Sequence, residues 1–200
     1  MTVTATASRK TLETEVVVNL NLDGMGKAVV STGMALLDHL VSSMAFHAGF
    51  DLALSVSSPG FFSAHHAAED AGIVLGEAFR EAAQSSLAGV APGIARFGDA
   101  AVPMDESLVL AAVDIGGRGC FRWDIPVEDR STDGFECRLA GEFLKAFCSN
   151  AKVAVHLKYV WGSDPHHLLE ASFKALAVAM REALAPAPNR TGAPSTKGVL

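Results

Sequence analysis

Two hundred residues, half of them hydrophobic, are enough to bury a substantial core in one domain or in two closely packed halves. A formal net charge of −6 without a basic stripe argues against nucleic acid as the main partner. No apolar run approaches the ~20 residues that span a bilayer, the N-terminus lacks a charged-then-apolar leader, and Cys120, Cys137 and Cys148 lack metal-knuckle spacing, so a cytoplasmic protein with free thiols and no membrane partner is expected.

Along the chain, Thr14–Leu22 sets Val16, Val18, Leu20 and Leu22 on one face of a strand. Asp23-Gly24-Met25-Gly26 supplies a turn and Lys27–Ser31 returns, which predicts a hairpin. The period then changes. Gly33–His47 carries Leu36, Leu37, Leu40, Val41 and Met44 at helical spacing, closed by Ala48-Gly49, and Asp51–Ser57 alternates as a strand. A second helix runs from His65 to Gln84, followed by a surface loop over Ser85–Pro92. The second half repeats the order, with strands at Phe97–Pro103, Ser107–Ile115 and Phe121–Pro126, a helix at Leu139–Ser149, a strand at Val153–Tyr159 and a helix at His166–Leu184. His156, within the alternating Val-Ala-Val-His-Leu strand, reads as a packed structural histidine. The expectation is an α+β fold built by internal duplication of a ββαβα-like half, with sheets packed against helices. Its boundaries fall at residues 1–94 and 95–185, with a tail over 186–200.

The chemistry concentrates in a repeated motif. His65-His66-Ala67-Ala68-Glu69 recurs 101 residues later as His166-His167-Leu168-Leu169-Glu170, so two HHxxE units hold four of the seven histidines. Laid without gaps, His65–Ala83 and His166–Leu184 agree at 8 of 19 positions, an internal repeat. Upstream, His39 precedes His65 by 26 residues and Glu142 precedes His166 by 24, so these two correspond. On a helix, His65 and His66 stand four and three residues before Glu69, which sets imidazole and carboxylate on one face. One such unit is more simply a solvated or helix-capping pair; two favour a divalent metal site suited to Mn, Fe, Zn, Co or Ni.

The sequence resembles the imidazoleglycerol-phosphate dehydratases of histidine biosynthesis. The resemblance rests on Arg9-Lys10-Thr11-Leu12-Glu13-Thr14, Thr32-Gly33, Leu37-Asp38-His39, His65-His66-x-x-Glu69-Asp70, Arg96-Phe97-Gly98, Pro103-Met104-Asp105-Glu106-Ser107-Leu108, Gly117-Arg118, His166-His167-x-x-Glu170-Ala171-x-Phe173-Lys174-Ala175 and Pro194-Ser195-Thr196-Lys197-Gly198. It implies a duplicated fold like the second domain of ribosomal protein S5. It also implies a hydro-lyase, a carbon–oxygen lyase, with two Mn ions per subunit and ligands drawn from neighbouring subunits of a homo-oligomeric 24-mer. The implied reaction removes water from D-erythro-imidazoleglycerol phosphate, its ring bridging the metals as an imidazolate, to leave imidazole acetol phosphate. Carried over residue by residue, the metal ligands are His39, His65, His66, Glu69, His166, His167 and Glu170, with Glu142 where the family has a histidine. Glu13 is read as the general base, with His47, Glu69 and Glu170 moving the proton to the departing hydroxyl. His39 and His47 also face the substrate, and its phosphate falls to Arg96, Arg118, Lys174, Ser195, Thr196 and Lys197, the tail closing on the site.

Several positions depart from the family pattern. Besides Glu142, these are Ser63-Ala64 before the first histidine pair, Ala67 after it, Ala35-Leu36 before Leu37-Asp38-His39, and Asp164 before the second pair. They crowd around the metal site, so an alternative stands beside the enzyme: a catalytically weak, metal-assembled paralogue that binds an azole-phosphate ligand or forms a shell.

Overall fold

Alternating burial along Glu15–Asn21 sets the first sheet: Val16, Val18 and Leu20 are buried while their neighbours face out. The computed structural model describes residues 3–87 and 93–188. In chain order the first half runs β1 (Thr4–Lys10), β2 (Glu15–Asn21), β3 (Ala28–Ser31), α1 (Ala35–Ala48), β4 (Asp51–Ser57) and α2 (Ala64–Leu87). After β5 (Gly93–Ile94) come β6 (Phe97–Met104), β7 (Ser107–Asp114), β8 (Cys120–Asp124), β9 (Ser131–Thr132), β10 (Phe135–Glu136), α3 (Arg138–Ala151), β11 (Ala154–Trp161), α4 (Pro165–Leu184) and β12 (Pro186–Ala187).

Two four-stranded sheets share one topology, β1-β2-β4-β3 and β6-β7-β11-β8. Each ends in a parallel pair, β3 with β4 and β8 with β11, bridged by α1 and α3 respectively. The α+β architecture and the pairing of sheets with helices are as expected, but the repeating unit carries one strand more than the ββαβα pattern. The strand the sequence concealed is β1, on which Ala5 alone is fully buried, so no apolar alternation marks it.

The expected hairpin between Thr14–Leu22 and Lys27–Ser31 does not form. β2 turns back onto β1, with Thr4 opposite Asn21 and Lys10 opposite Glu15, whereas β3 runs parallel to β4. The cause is Asp51, whose Oδ1 accepts from the backbone N–H of Met25 at 2.9 Å and of Lys27 at 3.0 Å and carries the segment past β2 to the far edge of β4.

The helices cross between the halves: α1 packs on α4 and α2 on α3, while α2 covers β1 and β2 and α4 covers β6 and β7. Small residues permit the approach, since a Cβ on Gly72 would stand 2.3 Å from the Phe143 carbonyl oxygen and one on Gly76 2.6 Å from that of Phe147. Phe79, Phe143, Phe147 and Phe173 are fully buried in this layer. Three smaller expectations are corrected. The helix drawn to Gln84 continues to Leu87, Pro186–Ala187 pair with Gly93–Ile94 rather than starting a tail, and His156 is exposed on β11 instead of packed. Among the described residues no helix is long and apolar enough to cross a membrane.

Candidate metal and substrate site

Both histidine pairs sit in the first turn of a helix, and each helix is started by a short polar side chain. Asp164, extended before Pro165, caps α4 by accepting from the backbone N–H of His166 at 2.8 Å and of His167 at 3.3 Å. Ser63 does the same for α2, its Oγ accepting from the His66 N–H at 3.4 Å. Two of the departures from the family pattern, Ser63 and Asp164, thus serve as helix caps.

The fold unites residues of both halves. His39 on α1 lies with Nε2 3.5 Å from Glu170 Oε1, and His166 with Nε2 3.5 Å from Glu170 Oε2. One donor atom from each of these three residues lies within 4.8 Å of the others, and Glu170 is buried. Two imidazoles and a carboxylate converging at such distances suit a divalent cation. Burial pushes the Glu170 pKa up, but Lys174, whose Nζ stands 2.8 Å from Oε1, and the charges of His39 and His166 outweigh it, so the group stays ionised below the ordinary carboxylate range.

Three of the four paired histidines have a carboxylate at Nδ1. His166 Nδ1 lies 2.6 Å from Asp133 Oδ2, His167 Nδ1 2.7 Å from Glu106 Oε2, and His66 Nδ1 against Glu13 Oε2. An acceptor at Nδ1 places the ring proton there and turns the Nε2 lone pair outward, the arrangement a metal-binding imidazole needs. Glu106 also accepts from Ser107 Oγ and from the backbone N–H of Ser163 and Asp164. With the Asp164 N–H foremost, these donors hold its carboxyl well below the usual range, while its hydrogen bond raises the pKa of His167. The fourth ring, His65, keeps a buried Nδ1 with no hydrogen-bond partner among the described residues and an Nε2 3.8 Å from Glu69 Oε2.

The hairpins explain the pattern. Glu13 stands between β1 and β2 and Glu106 between β6 and β7, so each half lays one carboxylate on the second histidine of its own pair. The Glu13 hairpin is pinned to α2 by Asp70, which takes Arg9 Nε at 3.0 Å and the Thr14 hydroxyl, and Thr11 Oγ1 accepts from the Glu13 N–H at 3.1 Å. A cavity of about 410 Å³ opens there, lined by Arg9, Thr11, Glu13, His66, Glu69 and Asp70. Glu106 and Asp133 went unassigned in the sequence; matching the two hairpins of the repeat would have exposed Glu106, whereas Asp133-Gly134 reads only as a turn.

The remaining candidates are dispersed. Glu142 lies 3.6 Å from Lys145 and stands outside the His39, His166 and Glu170 group. Arg96, in a left-handed conformation with φ 76°, engages Asp114 through Nε at 2.7 Å and Nη2 at 3.1 Å. Arg118 is exposed beyond β7, and Lys174 also approaches Met104 Sδ at 3.3 Å. His47, in the last turn of α1, has its pKa lowered by burial first and then by the charges of Lys174 and Arg181. Ser195, Thr196 and Lys197 lie outside the described residues.

Comparison with known proteins bears on these residues together. The imidazoleglycerol-phosphate dehydratase family model matches residues 32–180. The imidazoleglycerol-phosphate dehydratase of Acidiphilium cryptum is 43% identical over the full length of both chains, and that of Nitratiruptor is 44% identical with 96% of this chain and 97% of its own covered. Among solved structures, IGPD from Pyrococcus furiosus superposes with a TM-score of 0.79 at 35% identity, covering 96% of this chain and 99% of its own. Imidazoleglycerol-phosphate dehydratase from Staphylococcus aureus gives 0.79 at 28%, covering 92% and 99%.

Proposed function

The chain belongs to the imidazoleglycerol-phosphate dehydratase family and is a hydro-lyase of histidine biosynthesis; we propose that it acts on D-erythro-imidazoleglycerol phosphate with two divalent metal ions per subunit, manganese foremost. The observation that carries the metal reading is the convergence of His39, His166 and Glu170 from two helices, together with the carboxylates on Nδ1 of the paired rings. His65, His66, Glu69 and His167 complete the donor set, with Glu142 in the place that corresponds to His39. Bound divalent cations supply positive charge that favours a deprotonated substrate ring.

Glu13 takes the proton from the side-chain C2, and its exposed, hairpin-borne carboxylate reaches a substrate seated over α2. His47, kept neutral by its surroundings, and the Glu69 and Glu170 carboxylates pass a proton to the C3 hydroxyl, which leaves as water. The resulting enol becomes the ketone imidazole acetol phosphate. Arg96, aimed by Asp114, together with Arg118, Lys174, Ser195, Thr196 and Lys197, is read as the phosphate site. The working form is read as a cytoplasmic 24-subunit homo-oligomer in which neighbouring chains complete the metal sites.

The test is turnover of imidazoleglycerol phosphate by protein stripped of metal and reloaded with Mn(II). Reloaded wild type is expected to release imidazole acetol phosphate, and Glu13→Gln to retain its Mn while losing about 10²- to 10⁴-fold in rate. No turnover by the reloaded wild type overturns the function, and near-wild-type turnover by the variant removes Glu13 as the base.

A further inference from the structure

The short hairpin of β9 and β10 takes no part in either four-stranded sheet, yet it is fastened to the start of α4. Phe135 is buried next to its turn, the Arg130 backbone carbonyl accepts from the Cys137 N–H at 3.0 Å, and the Arg130 guanidinium reaches the Ser163 carbonyl at 2.7 Å, just before the α4 cap. At its tip Asp133 and Gly134 have φ of 50° and 72°, the positive pair of a two-residue hairpin turn, between Thr132 and Phe135 in register. From that tip the Asp133 carboxylate meets His166 Nδ1 at 2.6 Å, while the Nε2 of the same ring faces Glu170 and the ring lies 6.1 Å from that of His39.

We propose that Asp133 is a positioning residue for the metal site: it holds the His166 ring with Nδ1 protonated and Nε2 aimed at the ion shared with His39 and Glu170. This rests on the reading of His166 as a metal ligand. A neutral imidazole has two tautomers and a ring free to rotate; one fixed acceptor at Nδ1 selects the tautomer, stops the rotation and makes Nε2 the more basic donor. The equivalent ring of the first half, His65, lacks such an acceptor among the described residues, so the two halves are inequivalent at this point. Asp133 therefore gives the second half's ligand an orientation that its first-half counterpart lacks.

An aspartate followed by glycine is also a favoured turn sequence without any further role, and the variants must keep that turn. Asp133→Asn and Asp133→Gly both do. Asparagine retains an oxygen that accepts from Nδ1–H, and glycine removes the side chain. Full-length wild type, both variants and His166→Ala are stripped with chelator, dialysed and titrated with Mn(II), the free ion being followed by its electron paramagnetic resonance signal. Asp133→Gly is expected to bind one class of Mn(II) about 10- to 100-fold more weakly, and Asp133→Asn to recover most of that loss. The metal-free thermal midpoints of the two variants should match, which separates ligand orientation from hairpin stability. Wild-type affinity in Asp133→Gly alongside a loss in His166→Ala overturns the proposal. Wild-type affinity in both overturns the ligand assignment of His166 itself, and the proposal with it.

Discussion

A carboxylate at position 142, proposed as a metal ligand, would add negative charge to the site it joined. By the repeat, Glu142 relates to His65 and Glu69 on α2 as His39 relates to His166 and Glu170 on α4, and the packing of α3 on α2 beside that of α1 on α4 agrees with this pairing. It pairs with Lys145 at 3.6 Å, a contact that a cation bound at His65 and Glu69 would compete with. If Glu142 is a ligand, Glu142→His retains two metals per chain and, with one anion fewer, raises turnover, while Glu142→Ala loses one metal or binds it more weakly. Metal analysis of both purified variants decides the matter, and unchanged stoichiometry and affinity in both rejects the assignment. At this scale the HHxxE residues were legible because ligands on one helix keep a fixed spacing. Glu106 and Asp133 were not, because they reach His167 and His166 from other elements, and no local pattern records that contact.

The loop ahead of β3 shows how one side chain settles an element. Asp51 opens β4 and binds the Met25 and Lys27 N–H groups, and these hydrogen bonds, those to the backbone first, hold its carboxyl below the ordinary range. A carboxyl with a depressed folded pKa adds stability that is present above its unfolded value and disappears as pH falls through the folded one. Asp51→Ala is therefore expected to lower the thermal midpoint at neutral pH, with the difference from wild type shrinking below about pH 4. A gap that persists unchanged into acid would place the effect in packing instead. The same loop misled the sequence reading, because a Gly-rich turn between two apolar runs fits a hairpin equally well. The choice was made by Asp51, 24 residues after Lys27, and by α1 as a parallel crossover. The helices were read correctly save at their ends, since a long apolar period survives without tertiary information.

For the whole molecule, the two proposed donor groups differ in how far a single chain assembles them. The His39, His166 and Glu170 group is assembled inside a single chain, whereas on the α2 side His65 and Glu69 come from one helix and Glu142 stays with Lys145. Two large apolar side chains stand exposed near the first histidine pair: Leu12, beside Glu13, is 97% exposed and Phe61, just ahead of the α2 cap, is 89% exposed. Large apolar side chains exposed beside the proposed donors fit the proposal that a neighbouring chain packs there. If ligands from several chains share each ion in the proposed shell, binding free energy is available only to the assembled state, and metal and oligomer are linked by mass action. Chelation with EDTA is then expected to shift size-exclusion profiles from the shell toward smaller species, and Mn(II) to restore it. A monomer under both conditions would sink the shared-ligand assembly while leaving the His39, His166 and Glu170 group intact, because that group needs no second chain.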